Sequence, residues 1–464
     1  MNPYLHIFLC GILFALTSPC FATEAKKPNI IFILVDDIGL PGLGCTGGIY
    51  KTPNLDALAA GGTRFEYCFA SPLCAPSRAM LMTGRYAFRT GVKDNRLGAQ
   101  ATPQKDGCVA QLMKQAGYAT AVAGKWRQLS YFTTKEDGAK WGFDEFLIWG
   151  AGTPEEGEEN GGKKKGGAGK ERGKAGRYWD PEYNLNGKPF PDSKGKYGPD
   201  VAQEFVLDFV RRHKDEPFFV YYPTPLIHSP IERTPDSASA STGKTKGKRK
   251  GTGPGVESTY ADNIAYIDKQ VGQLAAELDK LHLRENTLIV FTGDNGSDAK
   301  GMVNGRPVDG RKHELNEGGS RVPLIANWPG TTPAGVVRQD LTDFTDLLPT
   351  FAALAGVALP TERKIDGHSL APQLRGEAGQ PREWAYVQLN EDRYVRSARW
   401  KLTGDGQFFD MKNAPWQQIP VPADTSDAEA KAARAKLQAA LAGLHDDSSP
   451  VKPLSKRAKK KAAK

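Results

Sequence analysis

Four carboxylate and amide side chains follow two apolar runs of the sequence, and they are of the type that binds hard divalent cations. Asp36 and Asp37 end the run NIIFILVDD, and Asp294 and Asn295 follow the run TLIVFTG. Adjacent carboxylates at the end of a buried strand repel each other unless a cation or a basic side chain neutralises them. Oxygen ligands without zinc-type partners favour Ca²⁺, or else Mg²⁺. One Asp pair alone is also typical of a solvated loop, so the second run is what favours a metal site.

Two further apolar runs are followed by residues that could bind or protonate an anion. Lys125 follows YATAVAG, and His228 comes shortly after PFFVYY. The lysine offers a positive charge, and histidine is the side chain that we expect to titrate near neutral pH. Packing alone explains poorly why four runs should each end in such residues.

The segment PLCAPSRAMLMTG, residues 72–84, contains a cysteine whose role the residues alone leave open. Proline is favoured in the first turn of a helix, so a helix is predicted to begin near Pro76, with Cys74 at its N-terminus and Arg78 one turn further along. The helix dipole is expected to lower the pKa of the thiol and make it a nucleophile. A lone cysteine is, however, more often buried and inert, and a thiolate is a poor ligand for a hard cation.

The four apolar runs predict strands that are buried on both faces of a sheet. They are rich in Val, Ile and Phe, and residues 257–283, just before the fourth run, have the apolar spacing of a helix. Strands that alternate with helices predict a doubly wound α/β sheet, in which ligands bind beyond the carboxyl ends of the strands. After residue 375, alternating polar and apolar residues predict a small antiparallel sheet, and residues 427–443 predict a helix.

The net charge does not indicate a nucleic-acid partner. The chain has 464 residues and a formal net charge of +9. The excess of Lys and Arg lies in three segments with almost no large apolar residues, namely 161–177, 241–255 and 451–464. We expect these segments to be disordered and to attract polyanions only through screened Coulomb forces, or to be solvated insertions without a ligand. No motif for specific nucleic-acid binding accompanies them.

The N-terminus and the cysteines indicate an exported protein that does not depend on disulfides. Residues 1–22 contain an apolar run from Ile7 to Leu16 followed by small residues, which predicts a signal peptide and a periplasmic or extracellular location. A buried N-terminal helix is the alternative, and no other run is long enough to cross a bilayer. Four cysteines remain without a CxxC pair, and a Cys45–Cys68 or Cys68–Cys108 bridge stays open.

The segment around Cys74 resembles the signature of the type I sulfatases, within the alkaline phosphatase superfamily. In that family the cysteine of the Cys-x-Pro-Ser-Arg pattern is oxidised to Cα-formylglycine. Similar stretches run along most of the chain: NIIFILVDDIG, TPNLDALAAGGTRFEYCFA, GYATAVAGKW, HSP, FTGDNG and KHELNEGGSRVP. The resemblance implies a largely parallel, mixed, alkaline-phosphatase-like sheet in a catalytic domain at 26–375. A C-terminal α+β subdomain at 376–445 and a basic disordered tail at 446–464 would follow.

The resemblance also implies a role for each matching residue. A formylglycine-generating or radical maturation enzyme would convert residue 74, whose hydrate then supplies oxygen to the metal and to sulfur. Arg78 would orient that hydrate. The implied calcium ligands are Asp36, Asp37, Cys74 in its converted form, Asp294 and Asn295. The groups implied to hold the sulfate oxygens and assist the leaving oxygen are Lys125, His228 and Lys312.

One position departs from the family pattern. Sulfatases commonly have histidine two residues after the lysine of GKW, and this chain has Arg127 there. Arginine stays protonated, so it can bind sulfate but cannot be the base that helps to regenerate the aldehyde. Gln128 would take the position if the loop shifts by one residue.

The resulting hypothesis is an exported, metal-dependent sulfatase that acts on sulfate esters, above all of sulfated carbohydrate. The implied reaction is attack of the residue 74 hydrate on sulfur with release of an alcohol, then breakdown of the sulfated intermediate, which releases sulfate and regenerates the aldehyde. A hydrolase of phosphate or phosphonate esters is the first alternative. A weakly active protein that binds sulfated glycans is the second, and Arg127 is its main support.

Overall fold

The computed structural model describes residues 26–126, 129–130, 133–149, 177–237 and 254–444, and for residues 254–258 it describes the backbone alone. Several predicted features lie outside the described residues. They are the signal peptide, nearly all of the three Lys-rich segments, the C-terminal tail, Arg127 and Gln128.

Strands and helices alternate along most of the chain, as the sequence predicts. The strands are β1 (Asn29–Val35), β2 (Thr63–Phe69), β3 (Ala119–Lys125), β4 (Glu145–Trp149), β5 (Tyr183–Leu185), β6 (Lys188–Pro189), β7 (Phe218–Thr224), β8 (Thr287–Gly293), β9 (Met302–Val303), β10 (Arg306–Pro307), β11 (Arg321–Asn327), β12 (Val336–Asp343), β13 (Ala385–Leu389), β14 (Asp392–Arg396), β15 (Trp400–Thr403), β16 (Phe408–Asp410) and β17 (Ile419–Pro420). The helices are α1 (Pro53–Ala60), α2 (Cys74–Thr83), α3 (Ala87–Thr90), α4 (Val109–Gln115), α5 (Lys135–Lys140), α6 (Gly198–Arg212), α7 (Pro254–Lys280), α8 (Glu317–Ser320), α9 (Leu347–Ala355), α10 (Ala371–Leu374) and α11 (Ala428–Gly443).

Ten of the strands form one mixed sheet, in the order β12-β2-β11-β8-β1-β7-β3-β4-β5-β6. The central strands β8, β1, β7, β3 and β4 run parallel to one another. Strand β11 runs antiparallel to both of its neighbours, and β5 runs antiparallel to β4. The predicted largely parallel, mixed α/β sheet is therefore confirmed, and the predicted strands are β1, β3, β7 and β8.

Both faces of the sheet are covered by helices, which explains the continuous apolar runs. On β1, Phe32 and its alternate neighbours pack with residues of α2, α4 and α9 on one face. Ile33 and its alternate neighbours pack with residues of α1, α6 and α7 on the other. Because side chains alternate across a strand, a strand between two helical layers must be apolar at every position.

A second sheet follows the first in the chain, as predicted. Strands β13 to β17 form an antiparallel sheet, and α11 begins after Asp427, whose side chain accepts hydrogen bonds from the first turn. Buried residues of this sheet, such as Trp400, belong to the same hydrophobic cluster as Phe32. In addition, Lys401 Nζ donates to the carbonyl oxygen of Leu315 at 2.6 Å. The predicted boundary at residues 375 and 376 stays a prediction.

Two further expectations concern the cysteines and the membrane. Cys45, Cys68, Cys74 and Cys108 are all free thiols, so neither bridge that the sequence left open is formed. No helix among the described residues combines the length and the apolar character that a membrane span requires.

We expect Phe32→Ala to lower the free energy of unfolding by about 3–5 kcal/mol, since it removes a large side chain and leaves a cavity. Phe32 is 0% exposed and lies with its ring centroid 5.7 Å from those of Tyr221 and Phe351. Denaturant unfolding measures the change. The control is Val337→Ala on β12, where the side chain is 44% exposed and the expected change is within about 0.5 kcal/mol. Equal effects of the two substitutions would contradict this account of the core.

Candidate active site

Asp36 and Asp37 lie directly after β1, at the carboxyl edge of the parallel strands. The backbone of Asp36 is held by Leu226 and Ile227, with N–O distances of 2.7 and 2.8 Å. Asp37 has a φ of 67°, a left-handed conformation that aspartate tolerates better than most residues. This turn brings both buried carboxylates to the same edge.

Asp294 and Asn295 occupy the corresponding place after β8. Val35 and Gly293 are in register, and the Asp294 amide donates to the Val35 carbonyl oxygen at 3.0 Å. Asp294 Oδ1 accepts from the Asp37 amide at 3.0 Å, and Asn295 Nδ2 donates to Asp37 Oδ1 at 2.8 Å. The parallel register therefore brings the two pairs from distant parts of the chain into contact.

Cys74 is the first residue of α2, two positions earlier than the predicted start near Pro76. The preceding residue, Leu73, provides no side-chain cap, and the amide of Ala75 donates to Asn95 Oδ1 at 2.9 Å. The thiol is 1% exposed, and its sulfur lies 3.5 Å from Asp36 Oδ1 and 3.9 Å from Asp37 Oδ1. Position at a helix N-terminus was thus predicted correctly.

The expectation of an activated thiol is wrong. Burial, with Asp294 adding to it, raises the pKa of Cys74 far above its usual range, although Lys125 and Lys312 oppose the shift. Desolvation of a thiolate outweighs the helix dipole when the sulfur is buried against carboxylates. Cys74 as an unmodified thiol is therefore poorly suited to nucleophilic attack.

Arg78 lies one turn along α2 and pairs with the carboxylates. It is 2% exposed, and its Nε and Nη2 atoms donate to Asp294 Oδ2 at 3.0 and 2.8 Å. Its Nη2 is also 3.6 Å from Asp36 Oδ1, and its Nη1 donates to the Lys125 carbonyl oxygen at 3.2 Å. One guanidinium group thus joins three strand ends.

Two lysines complete the positive side of the site. Lys125, the last residue of β3, donates to Asp36 Oδ2 at 2.6 Å. Lys312, in the loop between β10 and α8, lies 2.7 Å from Asp37 Oδ1 and 2.8 Å from Asp37 Oδ2. Both ammonium groups are buried, so their charges are only weakly screened by solvent.

His228 lies beyond the end of β7 and is less buried than the other members. Its Nε2 is 4.0 Å from Asp37 Oδ2, and its Nδ1 is 2.6 Å from the carbonyl oxygen of Ser229. Burial lowers the pKa of His228 to about 3; Asp36 opposes this shift, and Lys125 and Lys312 add to it. The expectation that this imidazole titrates near neutral pH is therefore wrong for the protein without a bound anion.

The carboxylates differ in their protonation equilibria because their neighbours differ. Burial would raise the pKa of Asp36, but Lys125 and the other cations hold it well below the usual range. Burial raises the pKa of Asp37, since Lys312 only partly compensates. Burial and the charge of Asp36 raise the pKa of Asp294 to about 6, against the effect of Arg78. A further positive charge, such as that of a bound cation, would favour the ionised form of all three carboxylates.

The donor set fits a hard divalent cation. Three buried carboxylates converge on one place, and the buried Asn295 Oδ1 has no hydrogen-bond partner there among the residues that the structure describes. A buried amide oxygen without a donor is costly, and a cation ligand would satisfy it. Ligand atoms of Asp36, Asp37, Cys74 and His228 also lie within 4.8 Å of one another. We favour the oxygen set over this one, because a thiol and an imidazole suit softer metals.

Sequence reasoning brought together nearly all of these residues but missed some neighbours. The structure unites Asp36, Asp37, Cys74, Arg78, Lys125, His228, Asp294, Asn295 and Lys312 at one edge. Asn95 and Arg177 also adjoin the site, and no sequence pattern distinguished them from surface residues. Arg127 lies outside the described residues, so its predicted role stays a prediction.

Comparison with known proteins gives consistent matches. Residues 28–357 match the sequence model of the family described as Sulfatase. Human arylsulfatase A is 33% identical over 421 residues, which cover 84% of this chain and 76% of that protein. N-acetylgalactosamine-6-sulfatase of Canis lupus familiaris is 34% identical over 377 residues, covering 76% of this chain and 67% of that protein.

A solved structure agrees with these matches. The crystal structure of Ps i-CgsB in complex with k-i-k-neocarrahexaose superimposes with a TM-score of 0.70 at 26% identity, covering 90% of this chain and 92% of that one. The resemblance seen around Cys74 is thereby confirmed. The chain belongs to the sulfatase family, of the type I and alkaline-phosphatase-like kind, and is a sulfuric ester hydrolase.

Proposed function

We propose that this chain is an exported, calcium-dependent sulfatase that removes sulfate from a sulfated carbohydrate, with residue 74 converted to Cα-formylglycine. One observation carries the proposal. The Cys74 sulfur lies within 4 Å of Asp36 and Asp37, and each of these carboxylates is paired with a lysine. A metal ligand set, the position to be modified and two anion-binding groups thus share one small, buried volume.

The charges of the site support binding of an anionic ester. Three cationic side chains, Arg78, Lys125 and Lys312, stand against three carboxylates, Asp36, Asp37 and Asp294. A divalent cation added to this balanced set leaves an excess of positive charge. Negative charge that builds on the sulfate oxygens in the transition state is stabilised by such an excess, most strongly where water is excluded.

Two groups would be added to the chain. Asp36, Asp37, Asp294 and Asn295 would hold Ca²⁺, or Mg²⁺ in its place, which supplies Lewis-acid polarisation of sulfate oxygens. Formylglycine at residue 74 would be made by a maturation enzyme. Its hydrate would supply a hydroxyl oxygen as the nucleophile, in place of the buried and poorly ionised thiol. Conversion also explains a cysteine whose ionisation the fold suppresses.

The remaining residues bind and orient the substrate. Lys125 pairs with Asp36 and Lys312 pairs with the adjacent Asp37, so both ammonium groups lie where they could contact sulfate oxygens. Arg78 fixes Asp294 through two N–H groups and keeps α2 in place. A bound anion raises the pKa of a neighbouring imidazole, so His228 gains a proton with substrate and can deliver it from Nε2 to the leaving oxygen.

The substrate class rests on similarity. The canine relative is named for N-acetylgalactosamine-6-sulfate chemistry, and the solved neighbour was crystallised with a neocarrahexaose. The first name specifies removal of sulfate from a sugar and the second an oligosaccharide ligand, and together they support a sulfated carbohydrate as the substrate. Export rests on the predicted signal peptide in residues 1–22.

The direct test compares an aryl sulfate, an aryl phosphate and a sulfated oligosaccharide as substrates of protein made together with a maturation enzyme. We expect a higher kcat/KM for the aryl sulfate than for the aryl phosphate, and release of inorganic sulfate from the oligosaccharide. Faster release of phosphate would favour the phosphatase alternative. Binding of the oligosaccharide without sulfate release, when residue 74 is fully converted, would disprove the enzyme proposal.

We expect Cys74→Ala to lower kcat at least about 10³-fold, because it removes the residue that becomes the nucleophile. Peptide mass spectrometry of the parent protein should show that residue 74 has lost its sulfur. The matched control is Cys108→Ala, another buried free cysteine, which should keep activity and lose only the small stability expected from trimming a core side chain. Full activity in protein whose residue 74 is still an unmodified cysteine would contradict the mechanism.

Removal of divalent cations by a chelator should abolish activity and lower the melting temperature, and Ca²⁺ should restore both. A cation whose free concentration is 100 times its dissociation constant stabilises the folded state by about 2.7 kcal/mol. Asn295→Ala should weaken the Ca²⁺-induced melting shift, whereas Asn286→Ala, at an exposed amide, should not. A melting temperature that is insensitive to Ca²⁺ and Mg²⁺ would argue against the metal site.

A further inference from the structure

Arg177 lies next to His228 without being one of the residues that face the carboxylates. Its Nη2 donates to the carbonyl oxygen of Ser229 at 2.7 Å. The same carbonyl oxygen is 2.6 Å from His228 Nδ1. Arg177 and His228 therefore share one acceptor.

This shared acceptor fixes the protonation pattern of the ring. A carbonyl oxygen can only accept, so Nδ1 of His228 must carry the hydrogen in this contact. Two lone pairs allow the carbonyl oxygen to accept from both side chains at once. With Nδ1 donating outward, Nε2 is the ring atom that faces Asp37, at 4.0 Å from Oδ2.

The guanidinium group is itself held by aromatic rings. Its carbon lies 5.4 Å from the ring centroid of Trp149 and 5.6 Å from that of Tyr178. Trp149 is the last residue of β4 and is in register with Lys125 on the adjacent strand β3. The ring that contacts Arg177 therefore belongs to the strand next to the one that carries Lys125, a candidate sulfate-binding residue. Cation–π contacts of this kind hold an arginine in one orientation.

The neighbouring Tyr178 holds the same loop from a second side. Its hydroxyl donates to the carbonyl oxygen of His228 at 2.9 Å, and it lies 3.3 Å from that of Pro225. Consecutive residues, Arg177 and Tyr178, thus bind the consecutive carbonyl groups of Ser229 and His228. The arrangement holds the backbone that carries the imidazole.

We propose that Arg177 is a positioning residue, which fixes the Ser229 carbonyl and through it the orientation and tautomer of His228. Arg177 acts through another side chain and needs no contact with the substrate. The kinetic consequence rests on the proposed sulfatase function, but the effect on the His228 ring does not.

The test uses the full chain with Arg177→Met, which retains an unbranched side chain over Trp149 and removes the donors. We expect kcat for an aryl sulfate to fall about 10- to 100-fold, as for a misplaced reacting group, while KM stays within about threefold. Arg177→Lys, which keeps a positive donor, should recover part of kcat. The matched control is Arg212→Met, since Arg212 contacts the ring of Phe209 and pairs with Glu145 at the opposite end of β4.

A spectroscopic measurement separates this role from general stability and from the assigned reaction. In ¹⁵N-histidine spectra of the Cys74 protein, His228 should show the Nδ1–H tautomer, and Arg177→Met should change that signature while Arg212→Met leaves it intact. If Arg177→Met keeps kcat within about twofold or leaves the His228 signature unchanged, the positioning role is excluded. If the parent protein cleaves no sulfate ester but the signature still changes, only the proposed function fails.

Discussion

Mutual repulsion among three buried carboxylates is the constraint on which the rest of this structure depends. Asp36, Asp37 and Asp294 are almost fully buried, and like charges interact more strongly in the protein interior than in water. Each carboxylate is paired with one basic side chain: Asp36 with Lys125, Asp37 with Lys312, and Asp294 with Arg78. Each cation comes from a different element, so α2, β3 and the loop before α8 must all converge on one edge of the sheet. The charge arrangement thereby specifies the relative placement of these elements.

The parallel sheet makes this convergence possible with few special contacts. Val35, Thr224 and Gly293 are in register across three adjacent strands, so the loops that follow these strands all begin at the same edge of the sheet. Backbone amides then join the departing loops, as in the bond from Asp294 to Val35. Helix α2 inserts residue 74 above this edge. The arrangement is typical of open α/β sheets, in which ligands bind beyond the carboxyl ends of the strands.

The sequence predicted four of the five central strands, all but β4, and most of the site, because their signals are local. Apolar runs such as the one before Asp36 mark strands that are buried on both faces, and the residues after them are held at the edge by register alone. Strand β12 was not predicted, since its apolar and polar residues do not alternate and its first five positions are exposed or half-buried. The pKa of Cys74 and that of His228 were predicted with the wrong sign or size, because each depends on burial and on charges from distant segments. Arg177 was missed for the same reason: its importance lies in one carbonyl group more than 50 positions away.

The contact between Lys401 and the carbonyl oxygen of Leu315 has a consequence for how this protein can change during evolution. Leu315 lies three residues after Lys312, in the same loop, so a strand of the C-terminal sheet supports a segment that carries a site residue. The two sheets also share one hydrophobic cluster. An exchange of C-terminal regions between relatives would therefore disturb the loop of Lys312 unless both surfaces changed together. Recombination that exchanges one sheet without the other should therefore be disfavoured. The C-terminal region is expected to co-evolve with the site that it supports.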